Sequence, residues 1–244
     1  MSDPEVPFLN CDLGEAAPDP DRLFMPWIAA ANIACGGHAG DPASMRRVAT
    51  LALSHSVRLG AHPSYPDRAN FGRTVLAISP SDLEASLASQ VSSLRDIARD
   101  LGADLSHVKL HGALYHACED PALATLIARV VGETCPHAAL VGRYGSRAVD
   151  TWRRLSRPVW TEAFADRLYL DDGALAPRSV PGAVISDPDR AASQALRIAQ
   201  GLGAPTASGG TIPLRPTTIC IHSDSPGAAL TAQRVGAALR SLTH

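Results

Sequence analysis

Asp12, Glu15, Lys109 and His111 are side chains of the kinds that move protons and stabilise developing charge, and each stands where a short apolar run ends. Phe8–Leu13 stops at Gly14, with Asp12 inside the run and Glu15 just beyond it; His107–His111 stops at Gly112. The same ending recurs along the chain. Residues 30–35 break at Gly36-Gly37 and present His38. Val57–His62 breaks at Pro63, with Arg73 in the polar loop beyond. Pro158–Ala163 carries Glu162 and leads into Asp166 and Arg167, and Thr217–His222 leads into Asp224. Carboxylates and imidazoles act as general bases and acids, an ammonium group holds an oxyanion, and a guanidinium takes a substrate carboxylate. The pattern reads as acid–base chemistry in one pocket, with Asp12, Glu15, Lys109 and His111 as the candidate catalytic groups. Asn10, Asn32, His38, Arg73, His222 and Asp224 then hold the substrate.

Two other readings stay open. Asp12, His62 and His111 come from three different runs and suit a divalent metal with a free position for water, as in a metal-dependent hydrolase or deacetylase. No H-E-x-x-H accompanies them. A non-catalytic small-ligand-binding subunit is the third, and the density of titratable groups argues against it.

Each residue also has a plainer account. His38 satisfies loop backbone groups, His62 is a buried hydrogen-bonded residue, and Asp12 is a cap or an ion-pair partner. Arg73, Asp166 and Arg167, taken singly, read as loop-edge ion pairs. Asp41 is a helix N-cap, His55 complements a helix C-terminus, and His107, His116, His137 and His244 read as ordinary surface or core residues. Lys109 resists such an account, because a lysine inside a buried strand is costly without a partner. The weight lies in the coincidence of so many such residues at equivalent places.

The elements that must position them alternate. Short apolar strands are separated by helices with apolar residues at helical spacing, such as Leu83, Leu87, Val91, Leu94 and Ile97. Asp-Pro or Ser-Pro marks a helix start at 41, 79, 120, 187 and 225. Residues 168–183 read as irregular and 203–210 as a loop rich in Gly, Ala and Ser. About seven βα units in 244 residues predict one α/β domain over 1–244, a seven-stranded or irregular TIM-like barrel. An open doubly wound sheet would be favoured by a G-x-G-x-x-G or G-x-x-x-x-G-K-[ST] motif, and neither is present. In a βα barrel the strand C-termini carry the active site, which is where the residues above fall. Alternation puts Asn10 and Asp12 on one face of the first strand, and Lys109 and His111 on one face of the fourth.

Composition narrows the class. The net charge of −2 offers no basic field for nucleic acid, and no apolar run approaches the roughly 20 residues of a membrane span. The acidic start Met1–Glu5 has no signal-peptide profile, and the five cysteines are scattered without a C-x-x-C pair. A cytoplasmic protein is expected.

Leu9–Glu15, Ala31–Pro42, Gly60–Pro63, Phe71–Arg73, His107–Tyr115, Glu162–Arg167 and Cys220–His222 together resemble the LamB/YcsF family, in order and spacing, from about residue 8 to the C-terminus. The resemblance implies a βα barrel of the glycoside hydrolase/deacetylase kind. It implies ATP-dependent hydrolysis of the lactam of 5-oxo-L-proline to L-glutamate, by an A subunit working with separate B and C subunits. ATP with Mg in the full complex, a divalent metal and self-association are the associated expectations. The chain departs from the family's pattern at Leu110, where Pro is usual, and at Ser223, where Gly is usual. It departs also at Gly37 for an aromatic, at Thr74 for a second Arg, and at Ala16-Ala17 for a Gly-rich turn.

Overall fold

The computed structural model describes residues 6–15, 20–225 and 227–242. Met1–Glu5, Ala16-Ala17, Pro226 and His244, each given a reading above, lie outside the described residues. The strands are β1 (Phe8–Leu13), β2 (Ala30–Ala34), β3 (Arg58–His62), β4 (His107–Lys109), β5 (Ala139–Arg143), β6 (Val159–Phe164), the short pair β7 (Ala204–Pro205) and β8 (Thr211–Ile212), and β9 (Thr218–Ile221). Seven of them close a barrel in the order β1-β2-β3-β4-β5-β6-β9. Every neighbouring pair is parallel, including β9 against both β6 and β1. The barrel is therefore complete with seven strands.

Around it run α1 (Asp21–Phe24), α2 (Pro42–Ser54), α3 (Pro80–Asp100), α4 (Gly112–Ala117), α5 (Pro121–Thr134), α6 (Arg147–Arg154), α7 (Pro188–Ala199) and α8 (Ala228–Arg240). Four Xaa-Pro pairs do what their chemistry dictates. The side chains of Asp41, Ser79, Asp120 and Asp187 accept backbone N–H groups of the first turn, with Pro at the following position. Each such cap is worth about 1 kcal/mol. The fifth differs: Gly227 is the N-cap of α8, so Ser225 lies outside the helix. Two other expectations change. β4 ends at Lys109, because His111 has turned into the N-cap position of α4, a helix not anticipated. The 203–210 segment folds back as the β7–β8 hairpin, paired antiparallel.

Alternation sorts each strand. Leu9, Cys11 and Leu13 join the apolar layer between strands and helices, together with Val48, Leu94, Ile127 and Trp152. Asn10 and Asp12 point the other way, into a barrel interior that is polar. Register then matters. Asp12 pairs with Asn32, Asn32 with Gly60, and Gly60 with His107. The bare Gly60 leaves room for the His107 ring, since a Cβ there would lie 2.1 Å from His107 Nε2. His107 Nε2 in turn sits 2.7 Å from Asn32 Oδ1. Below this layer Phe8 and Trp160 pack edge to face at 5.0 Å, with the Arg58 guanidinium over Phe8, and close the floor. No helix of the described residues is long and apolar enough to cross a membrane.

Candidate active site

Lys109, on β4, is the hub of the interior. It is 2% exposed. Its Nζ lies 2.9 Å from Asp12 Oδ1, 3.0 Å from Glu162 Oε1 and 2.9 Å from Cys220 Sγ. Asn32 donates to Asp12 Oδ1 at 2.7 Å, Asn10 donates to Glu162 Oε1 at 3.0 Å, and the Tyr115 hydroxyl donates to Glu162 Oε2 at 3.0 Å. Burial alone would discharge Lys109 and Asp12; proximity reverses that. Burial opposes the Lys109 ammonium, yet Asp12 and Glu162 hold its pKa well above the usual lysine value. Burial likewise pushes Asp12 up, but His62 and Lys109 hold it well below the ordinary carboxylate range. With its three protons committed to Asp12, Glu162 and Cys220, Lys109 has none left for an oxyanion, which would have to displace one of them.

A second cluster sits beside Asp12 at the strand ends. Glu15 Oε1 lies 2.9 Å from His38 Nε2, 3.1 Å from His111 Nδ1 and 3.6 Å from His62 Nε2. His62 Nε2 and His111 Nδ1 are 3.1 Å apart, and the His38 and His111 rings stack at 3.6 Å. These four residues form a group that could hold a metal ion, with donor atoms all within 4.8 Å of one another. Burial pushes Glu15 up, but hydrogen bonds from His111 and His38 bring its pKa far below the ordinary value. Burial pushes His38 down to about 4. The cluster is shaped by a local necessity at Gly112. Its φ is +56°, and a Cβ there would lie 2.5 Å from the Gly72 carbonyl, so only glycine lets the 71–73 loop close over His111.

The third feature is a carboxylate–imidazole pair. His222 Nδ1 lies 3.0 Å from Asp166 Oδ2, which also accepts the His222 backbone N–H at 2.9 Å. Asp166 is buried at 3% exposure, not the loop-edge partner expected, because the β6–α7 loop folds back over the barrel mouth. Burial works against the His222 cation, but Asp166 outweighs it and raises its pKa. Asp166 itself is lowered: burial opposes its charge and His222 overcomes that. The raised His222 contributes stability that is full below its unfolded pKa of about 6.5 and is lost as pH rises through the folded value. The lowered Asp166 contributes stability present above about 3.9 and lost as pH falls through its own folded value. We expect Asp166→Asn to drop the His222 pKa below the usual imidazole value, since burial and Lys109 then act against Asp12 alone. An NMR titration of the His222 ring protons measures this, and an unchanged pKa would refute the pairing.

These features share one pocket of about 460 Å³. Of the residues singled out from the sequence, Asp12, Glu15, His62, Arg73, Lys109, His111, His222 and Asp224 line it. Asn10, Asn32 and His38 do not; they stand behind the wall, where Asn10 and Asn32 hold the carboxylates and His38 holds Glu15. Arg73 is ion-paired with Asp224, which also lies 3.4 Å from Arg178. Sequence reasoning missed four contributors. His107 is a core residue that orients Asn32. Tyr115, His116 and Arg178 line the pocket. Arg178, with Leu175, Ala176 and Pro177, comes from the 168–183 stretch, which had no periodicity to place it. Two departures from the family pattern also find a local reason. A Cβ at Gly37 would lie 2.4 Å from Gln90 Oε1 and from Ser64 Oγ, so Gln90 and Ser64 already occupy that space. The Ser223 hydroxyl donates to the Asp12 carbonyl at 2.6 Å.

A parallel α/β barrel with titratable residues gathered at its strand ends defines the class: a barrel with a hydrolase-like pocket. The match of residues 8–243 to the LamB/YcsF family model makes the identification specific, and the chain belongs to the LamB/YcsF family. It is 45% identical to the 5-oxoprolinase A subunit of Chloroflexus aggregans over 92% of this chain and 91% of that protein. It is 42% identical to the 5-oxoprolinase A subunit of Bordetella pertussis over 95% and 94%. The crystal structure of the lactam utilization protein from Thermus thermophilus superposes with a TM-score of 0.91, at 39% identity over 98% of this chain and 97% of that one.

Proposed function

We propose that this chain is the lactam-cleaving A subunit of a 5-oxoprolinase, hydrolysing 5-oxo-L-proline to L-glutamate while an assembly with B and C subunits consumes ATP. The observation that carries the reading is the likeness of more than nine-tenths of the chain to proteins named as the A subunit of 5-oxoprolinase. The pocket supports it with a buried carboxylate, a carboxylate-backed imidazole and a guanidinium rim.

A five-membered lactam is a poor electrophile, and phosphorylation of its oxygen by ATP with Mg turns it into a good one. The chain has no G-x-x-x-x-G-K-[ST] loop, and in this reading nucleotide and Mg sit mainly on the partners, in the cytoplasm where ATP is available. Against an activated ring a strong base is not needed. Asp12, held ionised by the Lys109 ammonium 2.9 Å away, orients water and takes its proton as oxygen adds to the ring carbon. The adduct can expel phosphate and return the lactam, or break its C–N bond. His222, kept cationic by Asp166, gives its proton to the ring nitrogen and so favours the second path. The acyl phosphate that results is hydrolysed to glutamate and phosphate. Arg73 and Arg178, bridged by Asp224, are placed to take the substrate carboxylate. The pocket lies within the usual size range for small-molecule sites and has room for the phosphorylated ring.

The test is reconstitution with the B and C proteins of the same organism. Glutamate and phosphate should be released from 5-oxoproline and ATP only when this chain is present. Equal release without it, or none with all three, overturns the reading.

A further inference from the structure

We propose that Glu15, His38, His62 and His111 form a binding site for one first-row divalent transition-metal ion at the barrel mouth. The inference stands on the geometry of these side chains and would survive the loss of the 5-oxoprolinase reading. It shares His62 and His111 with the set of Asp12, His62 and His111 suggested by the sequence.

The ring orientations are the first support. His62 Nδ1 is 2.8 Å from the Lys109 carbonyl, so that nitrogen carries the proton and donates. His111 Nε2 is 3.0 Å from the Phe71 carbonyl and is likewise the donor. In the neutral rings the remaining nitrogens, His62 Nε2 and His111 Nδ1, are both bare. They nevertheless face each other at 3.1 Å, with the Glu15 carboxylate against both. These acceptors can be reconciled by a proton shared with Glu15 or by one cation, and only a metal ion answers to all of them at once. Donation of the far N–H to a backbone carbonyl is also how metal-bound histidines are held.

Spacing is the second support. Four donors about 2.1 Å from one ion at tetrahedral angles lie about 3.4 Å apart. Four of the six separations, 2.9, 3.1, 3.1 and 3.6 Å, bracket that edge, and all the donor atoms lie within 4.8 Å of one another. Third, His38 is 2% exposed, its ring stacks on His111 and turns Nε2 toward Glu15, while its Nδ1 has no hydrogen-bond partner among the described residues. Three imidazoles and a carboxylate select zinc or a neighbouring first-row ion over Mg or Ca. Asp12 borders the set: its Oδ1 is taken by Lys109 and Asn32, and its Oδ2 lies 3.4 Å from His62 Nε2. The neighbouring trio Asp12, Cys220 and His222 is ruled out: the Lys109 ammonium already lies 2.9 Å from both Asp12 and Cys220.

The experiment uses tag-free protein without partners or nucleotide, stripped with a chelator and titrated with Co²⁺, then Zn²⁺. We expect about one Co²⁺ per chain, the intense visible bands of a tetrahedral nitrogen–oxygen site, and their loss as Zn²⁺ displaces it. Glu15→Gln and His38→Ala should each weaken binding by more than about 10-fold, the loss that even outer-shell partners cause. His137→Ala, at an exposed histidine, should bind as the wild type does. Circular dichroism checks that each variant folds, and the milder Glu15→Gln keeps the test open if His38→Ala does not. Substoichiometric uptake by the wild type, or equal affinity in all these folded variants, overturns the proposal; a shared proton between His62 and His111 would give the first result.

Discussion

Lys109→Met is expected to lower the stability of this chain by about 3–5 kcal/mol, the range found when one partner of a buried ion pair is removed. The reason is local. Asp12 and Glu162 are 3% and 0% exposed, and Lys109 is the ammonium that both face. Asn10, Asn32 and Tyr115 still donate to the two carboxylates, but amides and a phenol carry no full charge. Methionine fills much the same volume, so the loss reports the charge more than a cavity. For a chain of this size the melting temperature should fall by roughly 6–20 °C. A double variant, Lys109→Met with Glu162→Gln, should regain part of the loss by removing one of the stranded charges. Urea unfolding of the wild type and both variants measures this. A Lys109→Met midpoint equal to that of the wild type would mean that the interior charges are solvated, against the burial seen here.

Asp12→Asn is expected to lower turnover in the reconstituted complex by about 10²–10⁴-fold, the usual contribution of a general base, with a smaller effect on substrate affinity. Asparagine keeps the shape, and its carbonyl oxygen can still accept from Asn32 and Lys109. What it lacks is the negative charge that orients water and accepts its proton. The measurement is glutamate release alongside ATP consumption. If ATP is spent on the partners, phosphate release should outlast glutamate release, because activation continues while cleavage stalls. Glutamate release within a few-fold of wild type would remove Asp12 from the role of base.

The strand ends were readable because two signals coincide there. Apolar runs stop at glycine or proline, and the polar residues at the stops are of chemical types that a core does not otherwise tolerate. Asp12, Lys109 and His222 were found this way. Asn10 and Asn32 were assigned to substrate for the same reason, and the structure puts them one layer deeper. An amide at a strand end looks alike in sequence whether it faces a ligand or holds the carboxylate that does. His107 and Asp166 looked ordinary because their partners, Asn32 and His222, are 75 and 56 residues away.

By itself, the sequence determined the βα alternation, the four Xaa-Pro helix starts and the identity of the residues at the strand ends. These depend on local chemistry: capping, glycine and proline geometry, and the period of the apolar pattern. Only the tertiary structure decided that seven strands suffice for closure, since register and strand tilt depend on every strand at once. It alone brought the loop carrying Arg178 over the pocket, committed the Lys109 protons to Asp12, Glu162 and Cys220, and turned three histidines toward Glu15. Ring orientation follows from which distant carbonyl takes the other N–H, and no spacing along the chain encodes that.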